Sequence, residues 1–455
     1  MSETLTNKTR AELIELCKTH NVKNYTKLNK PELIQKLMAE IPVMNPILLV
    51  EPTTNSQDHQ QDVVVPNQDL TTGETIAAKK TKKSRGQFYT TNANYIMSGL
   101  PLPPTDGTIS NIIEPFAGQG DLLDWITATG IQIPVQSYDI DPKRQGIEQR
   151  DTLRNPTNYD RAWIITNPPY LARNKTTDKT IYDQYNTNDL YKAFILSICQ
   201  QNNCAGGILL IPAGFFFSPR DIDIRCRQAF LSRFKITKIK YFEETVFADT
   251  TTTIIAMAFE KSPVELVEQS VLWERRPSGE QKIFTLAARD NWIIGGQIYG
   301  LPVPDGISIR RFVAGETTIL QGEQQTFMTL TALDSGSAEG GRISLNYSPG
   351  QIYQAKDCSR TYATMIISGR TLSDVEQKEM CRQFNEFIEA RRSETWSLFL
   401  PQYRESKEYA RKRMPFELAY QVLLYIIGRH FGLLPVPAVP QQQQLQGALL
   451  PVQQN

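Results

Sequence analysis

The sequence predicts an α/β chain: a domain built on a parallel sheet, followed by an α+β domain and preceded by a small helical module. Three observations carry that expectation. Asn111-Ile112-Ile113 reads as a short buried strand running into a glycine-bearing turn at Gly118-Gln119-Gly120 and then a helix beginning near Asp121. Val135-Gln136-Ser137-Tyr138-Asp139 reads as a second strand, ending in acids, and Trp163-Ile164-Ile165 as a third that runs into Asn167-Pro168-Pro169-Tyr170. Strand, turn and helix in repeated succession are the pattern of a parallel sheet with crossover helices.

The elements follow in order. Arg10–Cys17 and Lys30–Leu37 are two short amphipathic helices joined by a basic loop, with Pro31 near the start of the second. They define a module over residues 1–42, in which Leu13, Leu16, Leu33, Ile34 and Leu37 supply a small core. Residues 43–84, rich in Pro, Asn, Gln, Asp and Thr, read as a flexible linker. The parallel-sheet domain spans 85–262 and includes the strand Gly207–Pro212. Residues 263–434 change character: short β-rich runs such as Asn291–Gly296 and Thr326–Thr331 give way to helices at Ser373–Arg392 and Phe416–Phe431. Residues 435–455, with the run Gln441–Gln444, read as a disordered tail.

Asn167-Pro168-Pro169-Tyr170 carries the chemistry. An amine on an aromatic ring is a poor nucleophile because its lone pair is delocalised. The Asn167 side-chain oxygen and the Pro168 carbonyl, placed where a strand ends, can accept both N–H groups and favour a pyramidal nitrogen. Pro168 and Pro169 lack N–H groups and hold the segment extended. Tyr170 offers a flat face for a planar ring. The plainer alternative is an ordinary turn after a strand, since Asn-Pro starts many turns. The glycine turn alone is equally compatible with a tight turn that binds nothing. Asp139 stands about where an acid holds ribose hydroxyls in nucleotide-binding folds, and capping of the next helix is its alternative.

Taken together in this order, the motifs resemble those of S-adenosylmethionine-dependent N6-adenine DNA methyltransferases of the γ motif order. The likeness covers residues from about 85 to 260. It implies a Rossmann-like class I methyltransferase domain over 85–262, a target-recognition domain over 263–434, and S-adenosyl-L-methionine as cofactor. By this resemblance Asn167, Pro168, Pro169 and Tyr170 are catalytic. Cofactor contacts fall on Gln87, Phe88, Tyr89 and Thr90, on Glu114, Phe116, Gly118 and Gly120, on Asp139 and Ile140, and on Asp151 and Asn167. Thr152 departs from relatives that place a bulky apolar residue there. The reaction needs no covalent intermediate and no strong base. Cytosine-C5 methylation, by contrast, needs a cysteine nucleophile, and no Pro-Cys pair occurs. The N-terminal module resembles the SAP helix-loop-helix unit that binds DNA, with a protein-binding helical hairpin as the alternative.

A base within a duplex cannot reach such a pocket, so the resemblance implies base flipping. Phe216 and Phe247 are the candidates for a second aromatic wall, with core packing as the competing role. The 49 basic and 48 acidic residues give no overall nucleic-acid footprint, so local clusters must supply one. The candidates are Lys82, Lys83 and Arg85, and Arg411, Lys412 and Arg413. The first cluster is also compatible with a targeting signal or a solvated linker, and the second with an exposed helix. Expected partners are double-stranded DNA and a cognate restriction endonuclease, with the protein itself a monomer. Glutamine in a release factor, an RNA base and cytosine N4 remain alternative acceptors, as does a DNA-binding scaffold with a silent methyltransferase fold.

Three histidines and six cysteines without paired metal spacing point to no metal site and to free thiols. The polar start and the lack of any long apolar stretch predict a soluble, intracellular protein, in a cytoplasm or, for a viral or eukaryotic source, a nucleus.

Overall fold

A computed structural model describes residues 86, 90, 92–201, 203–247, 252–316, 319–334, 343–354, 361–403 and 411–434, together with 13, 30 and 32–33. The chain divides into two compact units, Met1–Thr72 and Gly73–Asn455. In the first, Leu13, Lys30, Glu32 and Leu33 are helical, with Leu13 and Leu33 fully buried, and these are the described residues of the expected N-terminal module. The expected linker and tail lie outside the described residues.

The second unit is organised by a nine-stranded sheet in the order β3-β2-β1-β4-β5-β7-β6-β8-β9. Its strands are β1 (Asn111–Glu114), β2 (Val135–Asp139), β3 (Glu148–Gln149), β4 (Ala162–Thr166), β5 (Gly206–Pro212), β6 (Phe234–Phe242), β7 (Ile254–Lys261), β8 (Glu268–Arg276) and β9 (Gln281–Ala287). The first five run parallel, and β7 inserts antiparallel between β5 and β6. Burial explains the sequence: β4 and β5, in the middle, are buried at every position and read as unbroken apolar runs. Chain order reverses between β1 and β4, which opens a crevice at their C-terminal ends, where ligands bind in open α/β sheets.

The helices are α1 (Ala93–Met97), α2 (Asp121–Ala128), α3 (Thr180–Gln184), α4 (Leu190–Gln200) and α5 (Asp221–Leu231). The α1 helix is pinned to β6 by Lys240, whose ammonium donates to the Tyr95 carbonyl at 2.8 Å and to the Ser98 carbonyl at 3.0 Å. Burial pushes that ammonium down to about 8.

The sheet continues past residue 262, where the sequence reading ends the domain. β8 pairs parallel with β6, β9 pairs with β8, and Trp273, Phe284 and Leu286 join the same core as Ile164 and Leu210. The β-rich runs after 262 thus belong first to the large sheet. Beyond it, β10 (Ser308–Arg311), β11 (Glu323–Thr331), β12 (Ser344–Tyr347) and β13 (Tyr362–Ser368) form a four-stranded sheet. Against it pack α6 (Asp374–Thr395) and α7 (Phe416–His430), with Phe384, Ile388, Val422 and Ile427 in a second core. Ser373 caps α6 in a reciprocal pair with Glu376, the S-x-x-E signature of a helix start. A short hairpin, β14 (Gln402–Tyr403) with β15 (Arg411–Lys412), lies between the two helices in sequence.

Asn291–Gly296 is not a strand. Asn291 and Trp292 both take left-handed backbone, and the fully buried Trp292 turns inward, where its indole N–H donates to Gln228 at 2.6 Å. Finding a partner for a buried indole decided the local backbone here, against β propensity.

Candidate active site

The crevice at the β1/β4 reversal holds a cavity of about 240 Å³, close to the lower end of the range of roughly 300–1,000 Å³ for small-molecule sites. Its walls come from four segments: the glycine turn after β1, the end of β2, the loop after β3, and the chain that follows β4.

The glycine turn is held by an acid. Asp139, nearly buried at the end of β2, accepts the Gly118 N–H on one oxygen and the Asp141 N–H on the other, each at 2.8 Å. The carboxylate therefore fixes the turn and its own strand end together, and Asp139 lines the crevice with Ile140 beside it. Gly120 takes φ +91° at the start of α2, a conformation suited to glycine.

Asp151 lies in the crevice wall, its carboxylate turned onto the Leu153 and Arg154 N–H groups at 3.2 Å each. The unexpected Thr152 has a structural cause: its hydroxyl donates to the buried Pro115 carbonyl at 2.9 Å and ties this loop to the glycine turn. Bulk is supplied instead by Leu153 and, across the crevice, by Ile181, Tyr182 and Leu190. The sequence reading missed these last three. Ile181 and Tyr182 lie on the short α3 and Leu190 opens α4, so no one apolar period marks the three together.

Glu114 is not on the wall. It is fully buried beneath the turn, where one oxygen accepts the Phe116 N–H at 3.0 Å and the Thr166 hydroxyl at 2.5 Å. Its other oxygen has no partner among the described residues. Burial pushes the carboxyl up to about 8, so it is largely protonated at neutral pH. Its expected cofactor contact is replaced by a role in shaping the turn.

Asn167 follows β4 and reaches both the crevice and the chain near the N-terminal motif. Its amide nitrogen donates to the Thr90 hydroxyl at 3.1 Å. Gly86, at the start of that motif, accepts the Tyr170 N–H at 2.9 Å, and a Cβ there would stand 2.6 Å from the Tyr170 carbonyl oxygen. Only glycine allows this approach. Gln87, Phe88 and Tyr89 lie outside the described residues.

Tyr170 departs from its expected place. Only 9% of its surface is exposed, its ring meets Tyr191 edge-on, and its hydroxyl shares its one proton between Asn167 Oδ1 at 2.5 Å and the Leu210 carbonyl at 2.6 Å. Burial raises its phenol well above the ordinary value, so the group is a fixed neutral donor. A buried hydroxyl has to be bonded, and that requirement turns Tyr170 inward to orient the Asn167 carboxamide instead of presenting its face.

Phe216 and Phe247 are likewise core residues. Phe216 is fully buried, edge-on to Phe215 at 5.0 Å and to Trp273 at 5.4 Å, and Phe247 is 1% exposed. Neither lines the crevice, and Phe216 packs instead on Trp273 of β8. Of the basic candidates, Lys82, Lys83 and Arg85 lie outside the described residues, and Arg411 opens β15. Lys412 is buried: it donates to the Tyr241 hydroxyl at 3.1 Å and lies over the Phe217 and Tyr241 rings. Burial pushes its ammonium down to about 8, so it is a core lysine with no phosphate-facing surface. Arg413 is half-buried, its backbone bridged to Leu333.

With this geometry in place, the chain's likeness to known proteins becomes informative. Residues 131–247 match the Eco57I restriction-modification methylase family model. The methylase match runs from the entry to β2, through Asp139, Asp151 and Asn167, to the chain after β6, and so takes in most of the crevice. No curated protein sequence matches the chain. Among solved structures, a type I restriction-modification system methyltransferase subunit from Streptococcus thermophilus is 17% identical, with TM-score 0.31, over 44% of this chain and 49% of that one. The type IIG restriction endonuclease BpuSI is 13% identical, with TM-score 0.33, over 48% and 35% of the two chains. The EcoKI M protein of a type I restriction enzyme is 14% identical, with TM-score 0.29, over 39% and 50%. This chain thus spans half or less of the length of each. The region that the family model matches forms part of the mixed α/β sheet.

Among the described residues no group of three His, Cys, Asp or Glu side chains is placed to hold a metal, and no helix is long and apolar enough to cross a membrane. Cys199, Cys204, Cys226 and Cys381 are buried free thiols.

Proposed function

We propose that this chain is a sequence-specific DNA methyltransferase that transfers the methyl group of S-adenosyl-L-methionine to N6 of a flipped-out adenine. The observation that carries the reading is the Asn167 carboxamide: it stands at the end of β4, oriented by Tyr170 and Thr90, beside the crevice that Asp139 and Asp151 also line. The residues fit the cofactor by their chemistry. Asp139 suits ribose hydroxyls, Asp151 suits an exocyclic amine, and Ile140, Leu153 and Phe116 offer apolar surface to a purine. Bound there, the cofactor supplies an electrophilic methyl group.

The chain's own groups then do the rest. Asn167 Oδ1 and the Pro168 carbonyl accept the two N–H bonds of the target amine. A carboxamide oxygen has two lone pairs, so accepting from Tyr170 is compatible with accepting from the substrate. The reaction is driven by position and by acceptor electrostatics in a water-poor crevice, and the nitrogen's proton leaves to solvent after transfer. The α+β region after β9 is the target-recognition part, double-stranded DNA the partner, and a cognate restriction endonuclease a further one.

The test is methyl transfer from labelled cofactor to unmethylated duplex DNA, to RNA and to release factor, with wild type and Asn167→Ala. Label in DNA as N6-methyladenine, lost in the variant, is expected. Label in RNA or protein only, or as N4-methylcytosine, would overturn the reading.

A further inference from the structure

The tetrapeptide Asn167-Pro168-Pro169-Tyr170 has a mechanical peculiarity. Its two prolines carry no N–H, so the backbone through the acceptor pair cannot be tied down by its own donors. The first two N–H groups after the prolines belong to Tyr170 and Leu171. That of Tyr170 goes to Gly86, and that of Leu171 goes to the side chain of Asp189, on Oδ1, at 3.1 Å.

Asp189 is the residue immediately before α4, and the contact is built from both sides. Leu190 N–H donates back to the Leu171 carbonyl at 3.3 Å, and Ala172 and Asp189 form an antiparallel bridge. The Tyr182 hydroxyl donates to the same Leu171 carbonyl at 2.8 Å. One turn of helix then carries two further contacts: Tyr191 packs edge-on against Tyr170 at 6.1 Å, and Phe194 against Phe116 of the glycine turn at 4.9 Å. The start of α4 therefore sets the catalytic segment and the glycine turn against each other.

We propose that Asp189 is a positioning residue for methyl transfer: its carboxylate fixes the Leu171 N–H and, through it, the placement of Asn167 and the Pro168 carbonyl. This rests on the methyltransferase reading above. A carboxylate suits the task because a charged acceptor makes a stronger bond to an amide N–H than a neutral one. It also stands at the positive end of α4, an eleven-residue helix.

The test uses the full chain as wild type, Asp189→Ala, Asp189→Asn and Asn167→Ala. Single-turnover transfer of labelled methyl to duplex DNA is measured beside cofactor affinity by calorimetry and amide exchange over the peptide containing Leu171. The alanine variant is expected to lose roughly 10- to 100-fold in rate, the range set by one hydrogen bond to a charged acceptor. It should keep cofactor affinity within about threefold and exchange faster at Leu171. Asparagine, whose Oδ1 still accepts, should restore most of the rate and of the protection. An alanine variant with wild-type rate overturns the inference, as does one whose cofactor affinity falls in step with its rate, or an asparagine variant no better than alanine. If wild type transfers no methyl to DNA, the functional reading fails by itself. Exchange at Leu171 then decides whether Asp189 holds the segment.

Discussion

Tyr170→Phe separates two roles that the sequence alone cannot distinguish. The substitution keeps the ring and removes the hydroxyl whose one proton is shared between Asn167 Oδ1 and Leu210 O. Each buried acceptor left without its donor costs about 1–3 kcal/mol, with the lower end apt for Leu210, whose strand is paired on both sides. A stability loss of about 2 kcal/mol follows. For the proposed reaction, the Asn167 carboxamide keeps its bond to Thr90 but loses the one on the oxygen assigned there to the substrate amine. At 1.36 kcal/mol per decade, a loss of about 1.4–2.7 kcal/mol in placement is a rate lowered roughly 10- to 100-fold. Cofactor affinity should move little, because the ring does not form part of the crevice wall. The assay is single-turnover methyl transfer with saturating DNA and cofactor, beside chemical denaturation. A phenylalanine variant at wild-type rate, with Tyr170→Ala inactive, would show that the ring face and not the hydroxyl matters, and the reasoning from this geometry would be wrong.

Other outcomes are as specific. Glu114 has an ordinary value of 4.5 and is pushed to about 8 in the fold, so its favourable contribution is complete below 4.5 and is lost as pH rises through 8. Glu114→Gln should remove that loss: melting of the variant should be flatter from pH 5 to 9, wild type declining by up to about 1.4 kcal/mol per pH unit in the window between the two values. Equal slopes would show that another group dominates. Asp223→Ala strands the buried Lys192 ammonium, which then keeps only Asn188 at 2.8 Å of the two acceptors described for it. A loss of about 3–5 kcal/mol in denaturant unfolding is expected, the usual cost of breaking a buried pair from one side. Lys412→Met should leave the salt dependence of DNA binding unchanged, since its ammonium is enclosed between Tyr241 and Phe217. A shallower slope of log K against log salt by about one counterion would restore it as a phosphate contact.

What the sequence makes legible is what local chemistry enforces. Gly118 and Gly120, the acid ending β2 and the doubled proline each demand a particular backbone, and the strands and helix around them stand where the pattern puts them. The same holds for α6, announced by Ser373 and Glu376. Side-chain direction was less accessible. Phe216, Phe247 and Tyr170 look like ring faces awaiting a base, but whether an aromatic turns inward depends on partners far away in sequence: Trp273 lies 57 positions beyond Phe216, and Leu210 lies 40 beyond Tyr170. Lys412 failed as a DNA contact for the same reason, because a basic cluster in sequence says nothing about what folds over it. Thr152 shows the converse case, since a residue that looked like a defect in the motif proves to be a tether.

The strands added at β8 and β9 have a consequence for how such a chain could be cut or recombined. A break at residue 262 would strip one side of β6 of its neighbour and uncover Tyr241 and Phe216, which lean on Trp273. An unpaired, apolar strand border of that kind invites intermolecular pairing. The fragment would therefore aggregate before its activity could be judged. A junction for exchanging the C-terminal part has to fall after β9, where the chain has left the large sheet. The nine-stranded sheet and the crevice at its β1/β4 reversal would then pass across intact.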